Sequence, residues 1–371
     1  MTGGLPERPL LPGFFRVIPM GDDAVQLRSA GRVIRLGAPG LGRLGPELLA
    51  AFDGRATVEE LSGRFPLGAP VVEELVRRLH AGGVLSDGGD AGGAAADTVT
   101  AEFYEVVQGG RRAAEARAAL DGARVLFAGL GPVARTAARC LAASHVGALV
   151  LADGGRVTAI DQAIVPGGPA DGGRPRPRVV AEECLQAAEV ATPGVFPPVV
   201  AMEGEAPIER ILERSAPLAL VVVEVDESGE QAEEANAACL AAGVPALFHA
   251  ATTVEGVVGP AVAAGSPGCF ACLVSRRTSH LRHYDEHLVY QAGLRTGEVA
   301  ARQPALLGAC ATLAGGLVAA EALALLTGSP AVTRGGVLTA DFRTLQVRRD
   351  ALVAVPGCPA CGRDLEVVAG S

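Results

Sequence analysis

Two pairs of cysteines, each with the spacing Cys-x-x-Cys, constrain the fold of this chain more than any other feature. The pairs are Cys269 with Cys272 and Cys358 with Cys361. Together they supply four thiolates, the ligand set of a tetrahedral zinc site, and four protein ligands leave no open position on the metal. Disulfides or unrelated thiols are the alternative, which fits less well with a chain that shows no secretion signal. We therefore expect a structural zinc ion that ties the last part of the sequence to the middle of the fold.

The composition is typical of a globular protein with two or three domains. The chain has 371 residues, of which 49% are hydrophobic. Its net charge of -9 does not indicate the basic surface that binds nucleic acids. Its first residues lack a basic segment followed by an apolar one, so we expect a cytoplasmic protein. Residues 304–320 are apolar enough to suggest a membrane span, but they are rich in alanine and glycine and lead into Glu321. We interpret them as a buried helix and expect no membrane partner.

Lysine does not occur in the sequence, so all 32 basic residues are arginine. This excludes a phosphate-loop lysine, a Schiff-base lysine and any adenylation chemistry that depends on lysine.

Residues 1–86 predict a small independent module of the winged-helix type. Short apolar runs separated by turn sequences indicate a three-stranded antiparallel sheet, with strands at 15–18, 24–27 and 32–36. Three helices are expected to follow, at 46–52, from Thr57 onward and at 70–81. The second begins with a capping box from Thr57 to Glu60. The third places four apolar residues on one face: Val71, Leu75, Val76 and Leu79.

Val84 and Leu85 are then predicted to return as a wing strand. The Gly-rich and Ala-rich residues 87–100 have the composition of a flexible linker. A second, α/β domain is expected over 101–371, beginning with a helix at 102–120.

The α/β domain opens like a nucleotide-binding fold. A buried strand at 124–128 runs directly into Gly129-Leu-Gly131 and a helix, and a second buried strand ends at Asp153. A later strand ends at Asp226. Both aspartates are expected at the carboxyl ends of parallel strands, where a ligand would bind, but each could instead cap the following helix. The pattern predicts a Rossmann-type sheet with mainly parallel strands.

The order of these pieces resembles the ThiF-like, ubiquitin-activating superfamily over residues 123–364. More closely, the chain is similar to the leader-peptide-binding subunit of azole-forming peptide pathways, the bacteriocin cyclodehydratase ThiF-like family. This closer resemblance is carried by Val157-Thr-Ala-Ile-Asp161, Gly173-Arg-Pro-Arg176, Val258-Gly-Pro260, Cys269-Phe-Ala-Cys-Leu-Val-Ser-Arg-Arg277 and Pro356-Gly-Cys-Pro-Ala-Cys-Gly362. The N-terminal module is similar to the peptide-recognition element of such proteins.

The chain departs from the activating enzymes that it resembles. Those enzymes carry Asp-x-Asp after the second strand, then an Arg-Gln pair and a lysine on the next helix. Here Asp153 is followed by Gly155, the Arg-Gln region reads Asp161-Gln, and there is no lysine. Adenylation depends on cationic groups that stabilise the negative charge of the transition state. We therefore interpret this chain as a degenerate activating fold that needs neither ATP nor magnesium. The vestigial nucleotide site would comprise Gly129, Gly131, Asp153 and Asp226.

Two polar segments allow more than one interpretation. Arg174, Arg176 and Arg178 could form an anion site, but a solvated basic turn is our preferred interpretation. Three histidines lie within residues 279–287, and their spacing fits no compact zinc site, so we predict a hydrophilic helix or loop there.

The resemblance implies a noncatalytic adaptor rather than an enzyme acting alone. Its module would bind the leader of a ribosomally made precursor peptide, and its ThiF-like body would dock a separate YcaO-type cyclodehydratase that forms azolines. An ATP-dependent adenylating enzyme and a winged-helix DNA regulator are the alternatives, and a homodimer is also considered.

The leader is expected to add a strand to the free edge of the three-stranded sheet, beside the third helix. Val33 and Arg35 would line the strand side of this groove, and Leu75, Arg78 and Leu79 the helix side. Leu75 and Leu79 could instead serve the core.

Overall fold

The computed structural model describes residues 5–88, 103–104, 110–164, 172–204 and 206–362. The chain divides into two compact units, residues 1–118 and 119–371. Most of the expected linker at 87–100 lies outside the described residues, and Asp87 at its start belongs to a strand.

The N-terminal unit contains a three-stranded sheet, a two-stranded ribbon and helices. Its elements are β1 (Pro9–Leu10), β2 (Arg16–Pro19), β3 (Ala24–Arg28), β4 (Val33–Gly37), α1 (Leu41–Ala50), α2 (Val58–Arg64), α3 (Ala69–Ala81) and β5 (Ser86–Asp87). The antiparallel sheet has the order β2-β3-β4, as the sequence predicts. Alternation along β3 directs Val25 and Leu27 into the core, where both are fully buried.

Helix α1 begins at Leu41, five residues before the predicted start, and Pro46 lies inside it. Proline is favoured in the first turn of a helix, which is why the sequence suggested a start at Pro46. Burial of Leu41, Leu48 and Leu49 in the core of the unit outweighs that local preference.

Helices α2 and α3 follow their sequence signals with one correction. The capping box of α2 is present, since Glu60 N–H donates to Thr57 Oγ1 at 3.2 Å and Thr57 N–H donates to Glu60 Oε2 at 2.8 Å. On α3 the buried residue is Val72, whereas Val71 is 38% exposed. Val72 is the residue that completes the helical stripe with Leu75, Val76 and Leu79.

The predicted wing strand at Val84 and Leu85 is wrong. Both side chains are buried in the core of the unit, so neither residue forms an alternating edge strand. Strand β5 starts one residue later and pairs with β1, with Leu10 opposite Ser86. The three-stranded sheet therefore gains no further strand from the described residues.

The C-terminal unit is built on an eight-stranded sheet. Its strands are β6 (Arg124–Ala128), β7 (Ala148–Asp153), β8 (Val199–Glu203), β9 (Leu220–Glu224), β10 (Ala246–Ala251), β11 (Glu255–Val262), β12 (Gly336–Asp341) and β13 (Gln346–Ala351). They lie in the order β13-β12-β11-β10-β9-β6-β7-β8. The five strands from β10 to β8 are parallel, as predicted, while β11, β12 and β13 add an antiparallel edge.

The remaining helices are α4 (Gly110–Asp121), α5 (Pro132–Ala143), α6 (Ala159–Ile164), α7 (Arg176–Ala191), α8 (Ile208–Ser215), α9 (Glu230–Ala242), α10 (Phe270–Thr278), α11 (Tyr284–Thr296) and α12 (Gly308–Leu326). Helix α5 packs against α7 and α12. Arg135 of α5 and Glu183 of α7 form a buried two-pronged ion pair, with Arg135 Nε donating to Glu183 Oε2 at 2.6 Å. Val221 and Val223 pack instead in a core formed with α8, α9 and α10.

Helix α12 is long and apolar enough to cross a membrane, with a mean hydropathy of 1.8, although only 39% of that stretch is buried. In the structure it packs against α5 and the sheet. Glu321 is buried on it and accepts hydrogen bonds from Thr333 N–H at 2.9 Å and Thr333 Oγ1 at 2.6 Å. The sequence predicted a buried helix here, and in the structure the helix buries one face.

Candidate functional site

The turn between β6 and α5 has the geometry of a nucleotide-binding loop. Gly129 has a φ of +93°, a conformation that favours glycine, and its N–H donates to Ala152 O on β7 at 3.0 Å. Leu130 and Gly131 follow at the carboxyl edge of the sheet, and helix α5 begins at the next residue. In nucleotide-binding folds, N–H groups at this position bind phosphate.

In this protein, carboxylates of the chain itself accept hydrogen bonds from these N–H groups. Leu130 N–H donates to Asp153 Oδ2 at 2.7 Å, and Gly131 N–H donates to Glu224 Oε2 at 2.6 Å. A Cβ atom at residue 131 would collide with the Glu224 carboxylate. The carboxylate therefore lies directly against Gly131, where a bound phosphate would need space.

Glu224 was not identified from the sequence as a site residue. It is the last residue of β9, an otherwise apolar strand that lies beside β6. Burial raises the pKa of Glu224 to about 7, helped by the nearby carboxylate of Asp153, while the hydrogen bond from Gly131 opposes the shift. In the sequence, the only feature that could have identified Glu224 is its position as a charged residue at the end of an apolar strand.

Arg176 supplies positive charge to the same cluster. Its Nη1 lies 3.7 Å from Asp153 Oδ2, and its Nη2 lies 3.2 Å from Asp161 Oδ2. The side chain is only 20% exposed, so the solvated-turn interpretation is wrong for this arginine. Arg174 and Arg178 do lie at the surface, where each pairs with a glutamate, although Arg178 belongs to helix α7 and not to a turn.

Asp161 is held in place from several directions. It is 2% exposed and accepts hydrogen bonds from Thr158 N–H at 2.7 Å and Gln303 Nε2 at 2.8 Å. Burial opposes its ionisation, but these hydrogen bonds and the charge of Arg176 lower its pKa overall. A cation is therefore present in the cluster, but it is already paired with two carboxylates.

Asp226 lies apart from these residues. It is exposed and accepts hydrogen bonds from Ser228 Oγ at 2.9 Å and Gly229 N–H at 2.8 Å, in the turn that leads into α9. Among the described residues it makes no hydrogen bond to the glycine loop. The structure thus brings together Gly129, Gly131 and Asp153 of the predicted nucleotide site, with Glu224 as their additional partner.

The four cysteines of the two Cys-x-x-Cys pairs form one cluster, with all four sulfurs within 4.8 Å of one another. The sulfur of Cys269 lies 3.8 Å from those of Cys272 and Cys358, and Cys272 lies 3.6 Å from Cys361. Four sulfurs at about 2.3 Å from a tetrahedral zinc ion would be about 3.8 Å apart. The cluster therefore has the dimensions of a zinc site.

Neighbouring backbone groups support a thiolate cluster. Val355 N–H donates to Cys272 Sγ at 3.3 Å. Burial raises the pKa of Cys269 and Cys361. Burial also opposes ionisation of Cys358, but backbone N–H groups of Cys361 and Ala360 donate to its sulfur, and its pKa is lowered to about 7. Arg276 of α10 also donates to Val353 O at 2.8 Å, which fixes the C-terminal segment beside the first cysteine pair.

The residues proposed for the peptide groove are divided between surface and core. Val33 is 59% exposed, and Arg35 faces solvent on the same side of β4. Arg78 is exposed and pairs with Glu74 at 2.6 Å. Leu75 and Leu79 are buried in the core of the unit, so they support the fold rather than present a groove surface.

Comparison with curated proteins finds molybdopterin-synthase adenylyltransferases. The chain is 27% identical to the Escherichia coli protein over 251 residues, which is 66% of this chain and 89% of that protein. It is 28% identical to the Salmonella typhimurium protein over 257 residues, covering 67% and 91%.

Comparison with solved structures finds the fold over nearly the whole chain. Escherichia coli MccB, solved with succinimide, has a TM-score of 0.64 at 15% identity and covers 96% of this chain and 99% of its own. The microcin C7 biosynthetic enzyme MccB with N-formylated MccA has a TM-score of 0.63 at 15% identity, covering 95% and 99%. The heterocyclase TruD has a TM-score of 0.62 at 17% identity and covers 96% of this chain but 43% of its own. The ThiF family profile matches residues 110–360, and the chain therefore belongs to the ThiF family.

Proposed function

We propose that this protein is a noncatalytic adaptor that binds the leader of a ribosomal precursor peptide. It would present the peptide core to a separate YcaO-type cyclodehydratase, which forms azolines. The proposal rests on the free edge of the three-stranded sheet in the N-terminal unit. Strand β4 pairs with β3 on one side, and the described residues provide no strand on its other side. A peptide can add to such an edge through main-chain hydrogen bonds.

The likeness to peptide-processing proteins supports this assignment. MccB has been solved with the peptide MccA, and TruD is a heterocyclase. The chain spans 43% of TruD, and in this proposal heterocyclisation is carried out by the separate YcaO-type cyclodehydratase. The four-cysteine cluster would hold a structural zinc ion, because all four ligands come from the protein and none of the coordination positions is left for a substrate.

The geometry of the glycine loop supports the part of the proposal that the protein is not itself an adenylating enzyme. A phosphate group at Gly131 would have to displace the carboxylate of Glu224, and it would meet the carboxylate of Asp153 beside it. Arg176, the cation of the cluster, is already paired with Asp153 and Asp161. The lack of lysine removes another cation that could stabilise a transferring group.

Leader binding is tested by fluorescence polarisation with the labelled leader of a precursor encoded beside this gene. Arg35→Glu and Arg78→Glu are expected to weaken binding at least tenfold, about 1.4 kcal/mol, because arginines suit an acidic leader. Arg55→Glu is the matched control, since it makes the same charge change at an exposed position before α2. Equal affinity in all three variants, at unchanged thermal stability, would place the leader elsewhere, and no binding by the wild-type protein would contradict the proposal.

An adenylating enzyme is the second candidate, favoured by the 27% identity to an adenylyltransferase. Exchange of labelled pyrophosphate into ATP, with the precursor peptide present, distinguishes the two. The adaptor is expected to show no exchange above background. Exchange that disappears in Asp226→Ala would support the enzyme.

A further inference from the structure

Strand β13 forms one edge of the eight-stranded sheet and is exposed along its whole length. It pairs with β12 on one side, and the described part of the chain provides no strand on its other side. Every residue of Gln346–Ala351 is exposed. An edge strand carries unpaired N–H and C=O groups that can pair with a strand of another chain. Strand β13 therefore offers a full edge to a partner strand.

The main-chain groups that β13 offers to a partner come from every second residue. Leu352, which follows the strand, donates its N–H to Gly335 O on the β12 side at 2.9 Å. Main-chain groups alternate in direction along an antiparallel strand, so the even-numbered residues of β13 face β12. The odd-numbered Val347, Arg349 and Ala351 therefore direct their N–H and C=O groups to the free edge.

The charges of β13 complement a second copy of the same strand in one register. If two copies pair antiparallel about a two-fold axis at Arg349, Arg348 of each copy lies opposite Asp350 of the other. Both side chains lie on one face, since Arg348 Nε is 3.2 Å from Asp350 Oδ2 within one chain. Opposite charges on facing strands stabilise their pairing. The two neighbouring registers would instead place Arg348 opposite Arg348, or Asp350 opposite Asp350, so charge selects the register at Arg349.

The other face of the strand carries apolar side chains, which the same register brings together. Val347 lies opposite Ala351 of the second copy, and Leu345 lies opposite Val353. In the single chain Val347 is 46% exposed, Leu345 74% and Val353 60%. Pairing in this register therefore removes apolar surface from water on one face and forms ion pairs on the other.

Arg349 lies opposite itself in this register, and its contacts keep the two like charges apart. Its Nε donates to Val332 O at 2.7 Å and its Nη2 to Gly335 O at 3.3 Å, so the guanidinium is held by carbonyl groups of its own chain. Its main-chain N–H and C=O face the free edge. The two copies of Arg349 can therefore exchange both hydrogen bonds at the centre of the contact.

We propose that β13 is the contact surface between two copies of this chain, which join their sheets edge to edge by antiparallel pairing about Arg349. The contact links two eight-stranded sheets into one. It is independent of the leader-binding proposal, because that proposal uses strand β4 of the N-terminal unit.

Analytical ultracentrifugation of the full-length protein at micromolar concentration tests the dimer. The wild-type protein is expected to sediment with the mass of two chains of 37.5 kDa each. Val347→Pro removes an N–H that faces the free edge and no hydrogen bond to β12. This variant is expected to weaken dimerisation at least tenfold and to keep the circular dichroism spectrum of the wild type. A monomeric wild-type protein overturns the proposal.

Two charge variants test the register. Arg348→Asp and Asp350→Arg each place like charges opposite each other twice, and each is expected to weaken dimerisation at least tenfold, about 1.4 kcal/mol. An equimolar mixture of the two variants is expected to recover the dimer, because every aspartate then lies opposite an arginine of the other chain. The contact between residues 348 and 350 within one chain stays broken in the mixture, so it cannot explain the recovery.

Arg178→Asp is the matched control for the charge variants. Arg178 pairs with Glu203 of β8 at the opposite edge of the sheet, and this variant is expected to dimerise like the wild type. A mixture that stays monomeric overturns the register. A dimer that survives unchanged in Val347→Pro and in both charge variants overturns the assignment to β13. If Val347→Pro does not fold, the charge variants and their mixture decide the question.

Discussion

Replacing Glu224 with glutamine is expected to change how the stability of the protein depends on pH. Glu224 has a pKa of about 7 in the folded protein against an ordinary value of 4.5, chiefly because of burial. Between pH 4.5 and 7 the folded protein therefore holds a proton that the unfolded chain has lost. The stability due to this proton is fully present below pH 4.5 and is lost as the pH rises through 7.

The size of the effect follows from the two pKa values. Moving a carboxyl pKa from 4.5 to about 7 corresponds to about 3 kcal/mol of unfolding free energy. A glutamine at this position is neutral at every pH, and its amide oxygen can still accept the hydrogen bond from Gly131. We therefore expect Glu224→Gln to exceed the wild-type protein by less than about 1 kcal/mol near pH 5 and by about 3 kcal/mol at pH 8.

Urea unfolding of both proteins at several pH values between 5 and 8 measures this difference, and equal m-values confirm that the same structure unfolds. Asp161→Asn is the control, because the pKa of Asp161 is lowered in the folded protein and its carboxylate stabilises the fold above its ordinary pKa of 3.8. This control should be less stable than the wild type throughout the range. Parallel curves for Glu224→Gln and the wild type, or a Glu224→Gln protein that is less stable at pH 8, would refute the reasoning.

Two further predictions concern the C-terminal unit. Purified protein should contain about one zinc ion per chain by elemental analysis, and Cys358→Ser should lower both zinc content and Tm, whereas Cys310→Ser, outside the cluster, should change neither. Arg135→Met should lower the unfolding free energy by about 3–5 kcal/mol, because it leaves Glu183 buried without its partner. Adding Glu183→Leu should restore most of that loss in urea unfolding, and a double variant as unstable as Arg135→Met would contradict this account.

The parts of the fold that the sequence predicted are those with strong local signals. The spacing of the cysteines allowed the four-sulfur cluster to be named, because two turns with two thiolates each have few other uses. The three-stranded sheet and the parallel strands were recognisable because each apolar run is bounded by glycine or aspartate. Val84 and Leu85 were misassigned, since an apolar pair looks the same in a strand and in a buried loop.

The site itself depends on contacts between distant residues, which local patterns do not contain. Glu224 reaches Gly131 because β9 lies beside β6 in the sheet, although 93 positions separate the two residues. Arg176 looked like part of a basic surface turn, and only the fold places it beside Asp153.

The hydrogen bonds of the glycine loop support the proposal that this protein does not need a nucleotide. Its N–H groups need acceptors, because buried backbone donors without partners are costly. Asp153 and Glu224 provide those acceptors within the chain, and Arg176 offsets part of their negative charge. The raised pKa of Glu224 indicates that this arrangement is strained at neutral pH. A phosphate would place further negative charge beside the same two carboxylates, which supports the proposal that this loop has a structural role and does not bind ATP.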